Sequence, residues 1–540
     1  VKMLRQLFFV TSIAVVALAN SQRKLSLDFP TPLLGNTSPG SVWPQPESHV
    51  STAETFPVAV ESFMFTYASK SYKCDLVYEA FKRYGAIIIN SAGDQKLRFR
   101  PLTTPMLTGL EVNLMAPCED YPSLDMDESY ALDINSMAVA TLTAKSVWGI
   151  LRGMESFSQL LWESDSGQIV ANKTNIIDKP RYAHRGILLD TSRHYQPVNV
   201  ILENIDGMAY NKINVFHWHI VDDQSFPYVS TVYPDLSAKG AYNPITHIYT
   251  IEDVAEVIEY ARLRGIRVVP EFDTPGHSTS MGKGQPGLLT ECYTGSNPNG
   301  NYGPINPTVN TTYTFIQNLF TEVKSSFKDA YIHLGGDEVS FSCWQSNPAI
   351  NNWMKSHNMT GDYKKLEQVY IQQVLDISAA IGYSYIVWQE VVDNGVKVKA
   401  DTVVEVWINN HPDNELAKVT ALGYRALLAA PWYLDYISTG EDWKRYYSYE
   451  PSNFNGTAEQ KKLLIGGEAC LWGEYVDGSN VTPRLWPRAS AVAERLWSPE
   501  TVNDVDAATP RLHQHRCRMV QRGIPAEPLH PGYCKHEWRN

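Results

Sequence analysis

The most informative segment of this chain is Tyr331-Ile332-His333-Leu334-Gly335-Gly336-Asp337-Glu338. It begins as a short apolar strand, passes through two glycines where backbone can come close to a ligand, and ends on two adjacent carboxylates. Neighbouring side chains on a regular strand face opposite ways, so both acids can serve one pocket only if the strand breaks into a loop. The two glycines lower the conformational cost of that break. An acidic pair here is also typical of solvated loops and helix N-termini, so the surrounding strands must decide.

Apolar runs of the same kind recur on both sides of this stretch, and each is followed by a helical pattern. Parallel strands need crossover helices and are buried on both faces, so the repeat predicts an α/β fold with a C-terminal (β/α)8 TIM barrel. One of the predicted helices has both a start and a stop signal. Thr250 and Asp253 match a capping box, and Gly265 stands at the C-terminal cap. The predicted strands span residues 186–190, 213–222, 266–273, 331–336, 385–389, 403–407, 425–431 and 464–472.

The barrel is predicted to occupy residues 181–540, after a small α/β domain at residues 56–180. Strand patterns in that domain cover residues 86–89, 109–114 and 130–134, and helical patterns cover 76–84 and 146–161. The domain contains no convincing cluster of acid, base and nucleophile, so we expect it to be structural. Residues 20–55 are rich in proline and serine and are predicted to form an extended lead-in.

The first 19 residues are predicted to be a secretory signal peptide. Lys2 and Arg5 precede an apolar run, and Ala17-Leu18-Ala19 supplies a small-residue cleavage site. The run is short for a membrane span, and no later stretch reaches the required length. We therefore expect entry into the secretory pathway, with delivery to the lysosome or secretion.

In a protein of the secretory pathway, acceptor patterns predict N-glycosylation and cysteines predict disulfides. None of the seven cysteines forms a C-x-x-C motif, which disfavours zinc and redox sites. Their order suggests the disulfides Cys74–Cys118, Cys292–Cys343 and Cys517–Cys534, leaving Cys470 as a buried thiol. Six N-glycosylation acceptor patterns are present, at Asn36, Asn172, Asn310, Asn358, Asn455 and Asn480.

Composition excludes some partners. The chain has 540 residues, 44% apolar and 11% aromatic, which is ample for a barrel with an attached domain. The net charge is −12, without a run of Lys or Arg, which argues against a nucleic-acid partner.

The active site of such a barrel lies at the C-terminal ends of its strands. The predicted strand ends carry tryptophans, carboxylates and an arginine. Flat apolar rings stack on sugar faces while charged groups hold hydroxyls, so this combination predicts a sugar pocket. The residues concerned are Arg193, Asp222, His277, Asp337, Glu338, Trp388, Trp407, Tyr433, Asp435, Trp472 and Glu474.

Four segments resemble the β-N-acetylhexosaminidases of glycoside hydrolase family 20, in the lysosomal animal-type branch. They are residues 190–195, 217–219, 333–338 and 472–475, and the similarity runs from the small domain to the last cysteine. The resemblance implies an exo-acting retaining enzyme without a cofactor, which removes terminal β-linked GlcNAc and GalNAc. In this family the substrate's own acetamido oxygen attacks the anomeric carbon and forms an oxazolinium intermediate.

The resemblance also assigns roles. Glu338 would be the general acid/base and Asp337 would orient the acetamido group, whose carbonyl would accept a hydrogen bond from Tyr433. Arg193 and Glu474 would hold sugar hydroxyls, and Asp222 with His277 would form a relay that raises the pKa of Glu338. Trp388, Trp407 and Trp472 would wall the pocket.

Substrate and assembly also follow from the resemblance. The residues Asp435-Tyr436 resemble those at the matching positions of the family's subunit that prefers neutral sugars. The expected substrates are therefore glycoproteins, glycolipids and chitooligosaccharides without anionic groups. The family commonly dimerises through the barrel, which implies a homodimer or a heterodimer with a related subunit.

Other interpretations stay open. Glu338 could act with Asp435 or Glu474 as nucleophile in a conventional retaining glycosidase, or the barrel could be an inactive secreted glycan-binding protein. Arg193 could simply pair with Asp190, His277 could only fix its loop, and single tryptophans could be core residues. His217 and His219 form a His-x-His pair that also occurs in metal hydrolases, but the later strand ends offer Trp and Glu instead of further metal ligands. We therefore expect no catalytic metal.

Overall fold

The computed structural model describes residues 40–91, 106–135, 138–436, 438 and 440–535. The predicted signal peptide, most of the predicted lead-in and the acceptor Asn36 lie outside the described residues. Within the described ranges, no helix is both long enough and apolar enough to cross a membrane.

The first part of the described chain forms a mixed sheet in the order β1-β7-β4-β5-β3-β2, with β6 paired to β7. Helix α1 packs on this sheet, and α2 is buried along its whole length. The strands are β1 (Ser48–Pro57), β2 (Met64–Tyr67), β3 (Gly109–Leu114), β4 (Tyr130–Ile134), β5 (Val139–Ala144), β6 (Leu161–Glu163) and β7 (Ile169–Asp178), and the helices are α1 (Asp75–Ser91) and α2 (Val147–Leu160).

Two sequence-based predictions about this sheet need correction. Residues 86–89 were predicted as a strand but belong to α1. The buried residues Ala80, Tyr84 and Ile88 are four apart, so the apolar run continues one helical face, which a short β-branched run cannot reveal. The sheet also starts before residue 56, because β1 begins at Ser48 inside the predicted lead-in and pairs with β7.

The second part is a closed eight-stranded parallel barrel, which confirms the predicted fold class. Each barrel strand overlaps one of the apolar runs predicted from the sequence. The hairpin of β11 (Leu289–Thr294) and β12 (Asn297–Ile305) is inserted after the third barrel strand. The barrel strands are β8 (His184–Asp190), β9 (Val215–Val221), β10 (Arg267–Phe272), β13 (Tyr331–His333), β14 (Ser384–Trp388), β15 (Val403–Val406), β16 (Arg425–Leu428) and β17 (Leu464–Leu471).

Helices surround the barrel. The Thr250/Asp253 capping box is present at the start of α5. The helices are α3 (Val198–Tyr210), α4 (Asp235–Gly240), α5 (Ile251–Arg262), α6 (Thr279–Gly284), α7 (Asn310–Ser326), α8 (Ser342–Ser346), α9 (Pro348–Ser356), α10 (Tyr363–Ile381), α11 (Glu390–Asp393), α12 (Pro412–Ala421), α13 (Trp443–Ser448), α14 (Ala458–Lys462), α15 (Val481–Leu485), α16 (Arg488–Trp497) and α17 (Val505–Gln521).

Three disulfides link the pairs suggested by the order of the cysteines, namely Cys74–Cys118, Cys292–Cys343 and Cys517–Cys534. Cys470 is buried in β17 without a disulfide partner. Among the described glycosylation acceptors, three are exposed: Asn310, Asn358 and Asn455. The side-chain amides of Asn172 and Asn480 instead donate hydrogen bonds to the backbone carbonyls of Thr52 and Tyr475.

Buried ion pairs join the sheet to the barrel. Glu128, just before β4, receives hydrogen bonds from Arg185 of β8 at 2.6 and 2.8 Å and from Arg152 of α2 at 2.8 Å. Asp178, at the end of β7, accepts from Lys212 at 2.8 Å. All of these side chains are almost completely buried, so each charge depends on its partner across the junction.

Candidate active site

The turn after β13 has a backbone that only glycine adopts easily. Gly335 and Gly336 have φ angles of +66° and +96°. A Cβ on Gly335 would lie 1.7 Å from an oxygen of Asp273, and a Cβ on Gly336 would lie 2.6 Å from Val391. Asp273 accepts the Gly336 N–H at 2.8 Å, and the Gly335 N–H is donated to Nδ1 of His333 at 3.1 Å. The glycines therefore let the chain turn tightly against two buried side chains.

This turn presents the two acids differently. The Asp337 side chain is about nine-tenths buried, and its Oδ1 atom has no hydrogen-bond partner among the described residues. Glu338 has a φ of +52°, and its side chain is 60% exposed. A non-glycine residue in the left-handed region is strained, and such strain clusters at functional sites. One carboxylate thus faces inward and the other faces solvent.

His277 connects the acids to Asp222. Its Nδ1 lies 3.3 Å from Asp222, and its Nε2 lies 3.7 Å from Glu338 and 3.9 Å from Asp337. Burial alone would lower the pKa of His277, but the Asp222 hydrogen bond and the charges of Asp273 and Asp337 raise it to about 11. The raised pKa in this relay is found on His277.

Arg193 is held by three carboxylates. Its guanidinium lies 3.0 Å from Asp190, 3.0 Å from Asp222 and 3.4 Å from Glu474, and it stands 5.0 Å from the ring centroid of Trp472. The Asp190 pairing that the sequence left open is thus present, together with contacts at the pocket rim. Burial opposes the charge, but the carboxylates raise the pKa of Arg193 well above its usual range.

Four aromatic rings form a box beside the acids. Trp388, Trp407, Tyr433 and Trp472 come from four successive strand ends, with neighbouring ring centroids 6.1–6.4 Å apart. Trp388, Tyr433 and Trp472 are at most 9% exposed. The rings bring together every aromatic residue that the sequence assigned to the pocket, and they leave flat apolar faces suited to a sugar and its acetyl group.

Two of these indoles are anchored by carboxylates that sequence reasoning did not assign to the site. Trp388 donates to Glu271 at 2.9 Å, and Trp407 donates to Glu390 at 2.8 Å. Burial and the charge of Asp337 raise the pKa of Glu390 to about 7. The Trp407 hydrogen bond acts against that rise.

Asp435 and Glu474 each lie two residues after a ring of the box, Tyr433 and Trp472 respectively. Glu474 is about half exposed, whereas Asp435 is half-buried and its Oδ1 atom has no hydrogen-bond partner within the described chain. Burial raises the pKa of Asp435 to about 6, and the charge of Glu474 adds to this rise. Both can accept hydrogen bonds from sugar hydroxyls.

The His-x-His pair lies inside the barrel below the pocket. His217 and His219 are buried, and their ring nitrogens lie 2.6–3.1 Å from the carboxylates of Glu271, Glu468 and Asp222. Ligand atoms of His217, Glu271 and His333 also come within 4.8 Å of one another. The geometry is that of a hydrogen-bonded network of histidines and carboxylates.

Glu271 and Asp273 were not assigned to the site from the sequence, although their positions gave a signal. Glu271 is a charge near the C-terminal end of the largely apolar strand β10, and Asp273 directly follows that strand. A buried charge must be paired, so a glutamate between Pro270 and Phe272 in this apolar run should have indicated a partner inside the barrel. His217 and His219, two residues apart on a neighbouring strand, were the candidates for that partner.

Comparisons with known proteins agree with this site. Residues 182–500 match the model of the glycosyl hydrolase family 20 catalytic domain, and residues 42–160 match the one described as beta-acetyl hexosaminidase like. The chain is 52% identical to the human beta-hexosaminidase subunit beta over 93% of this chain and 91% of that protein. It is 51% identical to the alpha subunit of Bos taurus over 96% of this chain and 99% of that one. The chitobiase of Flavobacterium johnsoniae superposes with a TM-score of 0.78 at 28% identity, covering 90% of this chain and 73% of its own. The chain therefore belongs to glycosyl hydrolase family 20.

Proposed function

We propose that this protein is an exo-acting β-N-acetylhexosaminidase that removes terminal β-linked GlcNAc and GalNAc by substrate-assisted catalysis. The observation that carries the proposal is the buried Oδ1 of Asp337, which has no partner in the described chain and lies beside the aromatic box. A buried carboxylate oxygen without a donor is costly. The acetamido N–H of a bound substrate is the donor that would satisfy it.

Glu338 is the proposed general acid and base. Its side chain is exposed at the pocket mouth, where a leaving oxygen and then an attacking water can reach it. It protonates the glycosidic oxygen as the bond to the anomeric carbon breaks, and then takes a proton from the water that opens the intermediate. His277, 3.7 Å away and cationic, is placed to stabilise the carboxylate that the first step leaves behind.

Asp337 and Tyr433 are the proposed guides of the acetamido group. The carbonyl oxygen of that group attacks the anomeric carbon, and positive charge develops on its nitrogen. Asp337 accepts the N–H and stabilises that charge, while the Tyr433 hydroxyl donates to the carbonyl oxygen. Trp388, Trp407 and Trp472 restrict the acetyl group to the folded pose, which lowers the entropy cost of attack.

The opposite side of the sugar is held by charged groups. Arg193 is fixed by carboxylates on three sides, so it can donate to hydroxyls without changing its position. Glu474 and Asp435 accept from hydroxyls. The carboxylate of Glu474, and that of Asp435 above its pKa of about 6, repel sulfate and carboxylate substituents, which is why we propose neutral glycans as the substrates.

A conventional retaining glycosidase is less well supported. Such an enzyme needs an ionised carboxylate nucleophile about 5–5.5 Å from the acid. Asp435 is one candidate, but burial raises its pKa to about 6, so it is largely protonated in mildly acidic conditions. Glu474, the other candidate, already pairs with Arg193 at 3.4 Å.

The test compares aryl β-GlcNAc, aryl β-GalNAc and aryl β-glucoside with the parent, Glu338→Gln and Asp337→Asn. We expect turnover of both N-acetyl sugars, none of the glucoside, and a fall of at least about 100-fold in kcat for each variant. Equal turnover of the glucoside would place the nucleophile on the protein. Glycan binding without turnover would identify a lectin.

Cellular route and assembly belong to the same proposal. Three disulfides and the exposed acceptors Asn310, Asn358 and Asn455 support passage through the secretory pathway, to the lysosome or the cell exterior. We propose dimerisation with a second copy or a related subunit. Sedimentation of the glycosylated protein tests the assembly, and enzymatic deglycosylation tests the acceptors.

A further inference from the structure

We propose that Glu271 is a positioning residue that fixes the pocket wall, the Asp222–His277 relay and the turn bearing the two acids in one rigid arrangement. The proposal rests on the function proposed above and goes beyond it. Glu271 lies on β10, beneath the pocket, and is completely buried. It contacts no substrate, so it acts through its neighbours.

The first connection runs to the pocket wall. One carboxylate oxygen of Glu271 accepts the indole N–H of Trp388 at 2.9 Å. This hydrogen bond fixes the rotation of the ring, because the indole has a single donor and is only 1% exposed. Trp388 in turn packs against Trp407 and Trp472, so its orientation sets the width of the box.

The second connection runs to the relay. The other oxygen of Glu271 lies 2.6 Å from Nδ1 of His219, whose Nε2 lies 2.8 Å from Asp222. Both ring nitrogens face carboxylates, so His219 binds two protons; burial opposes this, but the carboxylates raise its pKa to about 10. Asp222 then holds both His277 and Arg193.

The third connection runs to the catalytic turn. Nδ1 of His333 lies 3.1 Å from a carboxylate oxygen of Glu271 and 3.1 Å from the backbone nitrogen of Gly335. The ring of His333 is further packed against Trp388, with centroids 4.6 Å apart. The position of Glu271 is thereby passed to the backbone that presents Asp337 and Glu338.

A purely structural role would make Glu271 one more partner for buried histidines. Glu468 is the matched case in the same network, because it is equally buried and pairs with His184 at 2.5 Å and His217 at 2.8 Å. Within the described chain it forms no hydrogen bond or ion pair with a pocket residue. The charged groups that face Glu271 are His217 and His219 from β9, His333 from β13, and Asp273 at the end of its own strand.

The experiment compares Glu271→Gln with Glu468→Gln in the full-length protein. Both remove one negative charge from the same network, so we expect similar losses of thermal stability. Glu271→Gln should lower kcat at least about 30-fold, and the pH–rate profile should move to higher pH by about half a unit. The shift is upward because a neutral residue 271 no longer holds His219 cationic, and carboxyls near a lost cation keep their protons to higher pH. Glu468→Gln should keep kcat within about threefold and leave the profile in place.

A second pair of variants covers the case in which Glu271→Gln does not fold. His219→Gln breaks the relay branch, and His184→Gln is its control, because His184 pairs with Glu468 alone among the described ionisable groups. We expect the profile to shift only in the His219 variant. Equal kinetic losses within either pair, or the parent's kcat and profile in Glu271→Gln or His219→Gln, would overturn the positioning role.

Kinetics are measured on the aryl glycoside that the parent hydrolyses fastest. If that substrate is the glucoside, the acetamido mechanism fails while the role of Glu271 is still tested. A parent that turns over none of the three substrates overturns both proposals.

Discussion

Replacing Gly335 by alanine should disrupt the turn that carries the acids, for two reasons that can be separated. The first is the backbone, since a φ of +66° costs a residue with a Cβ about 1–2 kcal/mol. The second is space, because the new Cβ would lie 1.7 Å from an oxygen of Asp273 and must displace that side chain. Burial and the charge of Asp337 raise the pKa of Asp273 and favour its neutral form, so its carboxyl group then loses a hydrogen bond from the Gly336 N–H that contributes about 0.5–1.5 kcal/mol.

The two terms add up to a loss of roughly 1.5–3.5 kcal/mol in the free energy of unfolding. Gly423 offers a matched control, because its φ is +86° and no heavy atom lies within 4 Å of a Cβ built there. Gly423→Ala should therefore lose only the backbone term, about 1–2 kcal/mol.

The assay is denaturant unfolding of the parent and both variants under identical conditions, with kcat measured on the folded fraction. We expect the unfolding midpoint to fall further for Gly335→Ala, together with a drop in kcat, and Gly423→Ala to keep full activity. Equal midpoints for the two variants would refute the steric term. A normal kcat in Gly335→Ala would show that the turn tolerates movement.

Three further predictions concern other buried groups. Burial would raise the pKa of Glu450, but hydrogen bonds from Arg181 and Ser452 hold it at about 2, so the stability that Glu450 contributes is complete above its unfolded pKa of about 4.5 and is lost as pH falls toward 2. Glu450→Gln should therefore be about 2–3 kcal/mol less stable than the parent at pH 6, and the difference between their denaturant midpoints should shrink as the pH is lowered. A difference that does not change with pH would contradict this. Cys470 should be invisible to a thiol reagent in the native protein and should give one equivalent after unfolding without reductant, since the other described cysteines are paired; a native reaction would contradict its burial. Glu390→Leu removes the hydrogen-bond acceptor of the Trp407 indole and should lower kcat/KM about tenfold, whereas Glu390→Gln keeps an acceptor and should retain most activity. Equal losses of kcat/KM in the two variants would exclude the hydrogen bond as the cause.

The barrel was predictable because its strands are buried on both faces, and long apolar runs between helical patterns have few other interpretations. The run at residues 86–89 was not, because four apolar residues fit a buried helix face and a strand equally well until Ile88 is seen to follow Tyr84 on α1. Sequence reasoning found the residues that line the pocket, since strand ends in a barrel converge. It did not find Glu271 or Glu390, because their function depends on which indole each carboxylate reaches, and that depends on side-chain direction across strands that lie far apart in the chain.

The ion pairs between the sheet and the barrel bear on how this protein can be cut and engineered. A barrel expressed from residue 181 onward would keep Arg185 and Lys212 but lose Glu128 and Asp178, and the junction that buries these pairs would be exposed to water. In the full-length protein, removing one member of such a buried pair costs about 3–5 kcal/mol, so the two pairs together are comparable to the whole stability of many domains. The sheet thus stabilises the barrel through this junction, and we expect the shortest active fragment to include both.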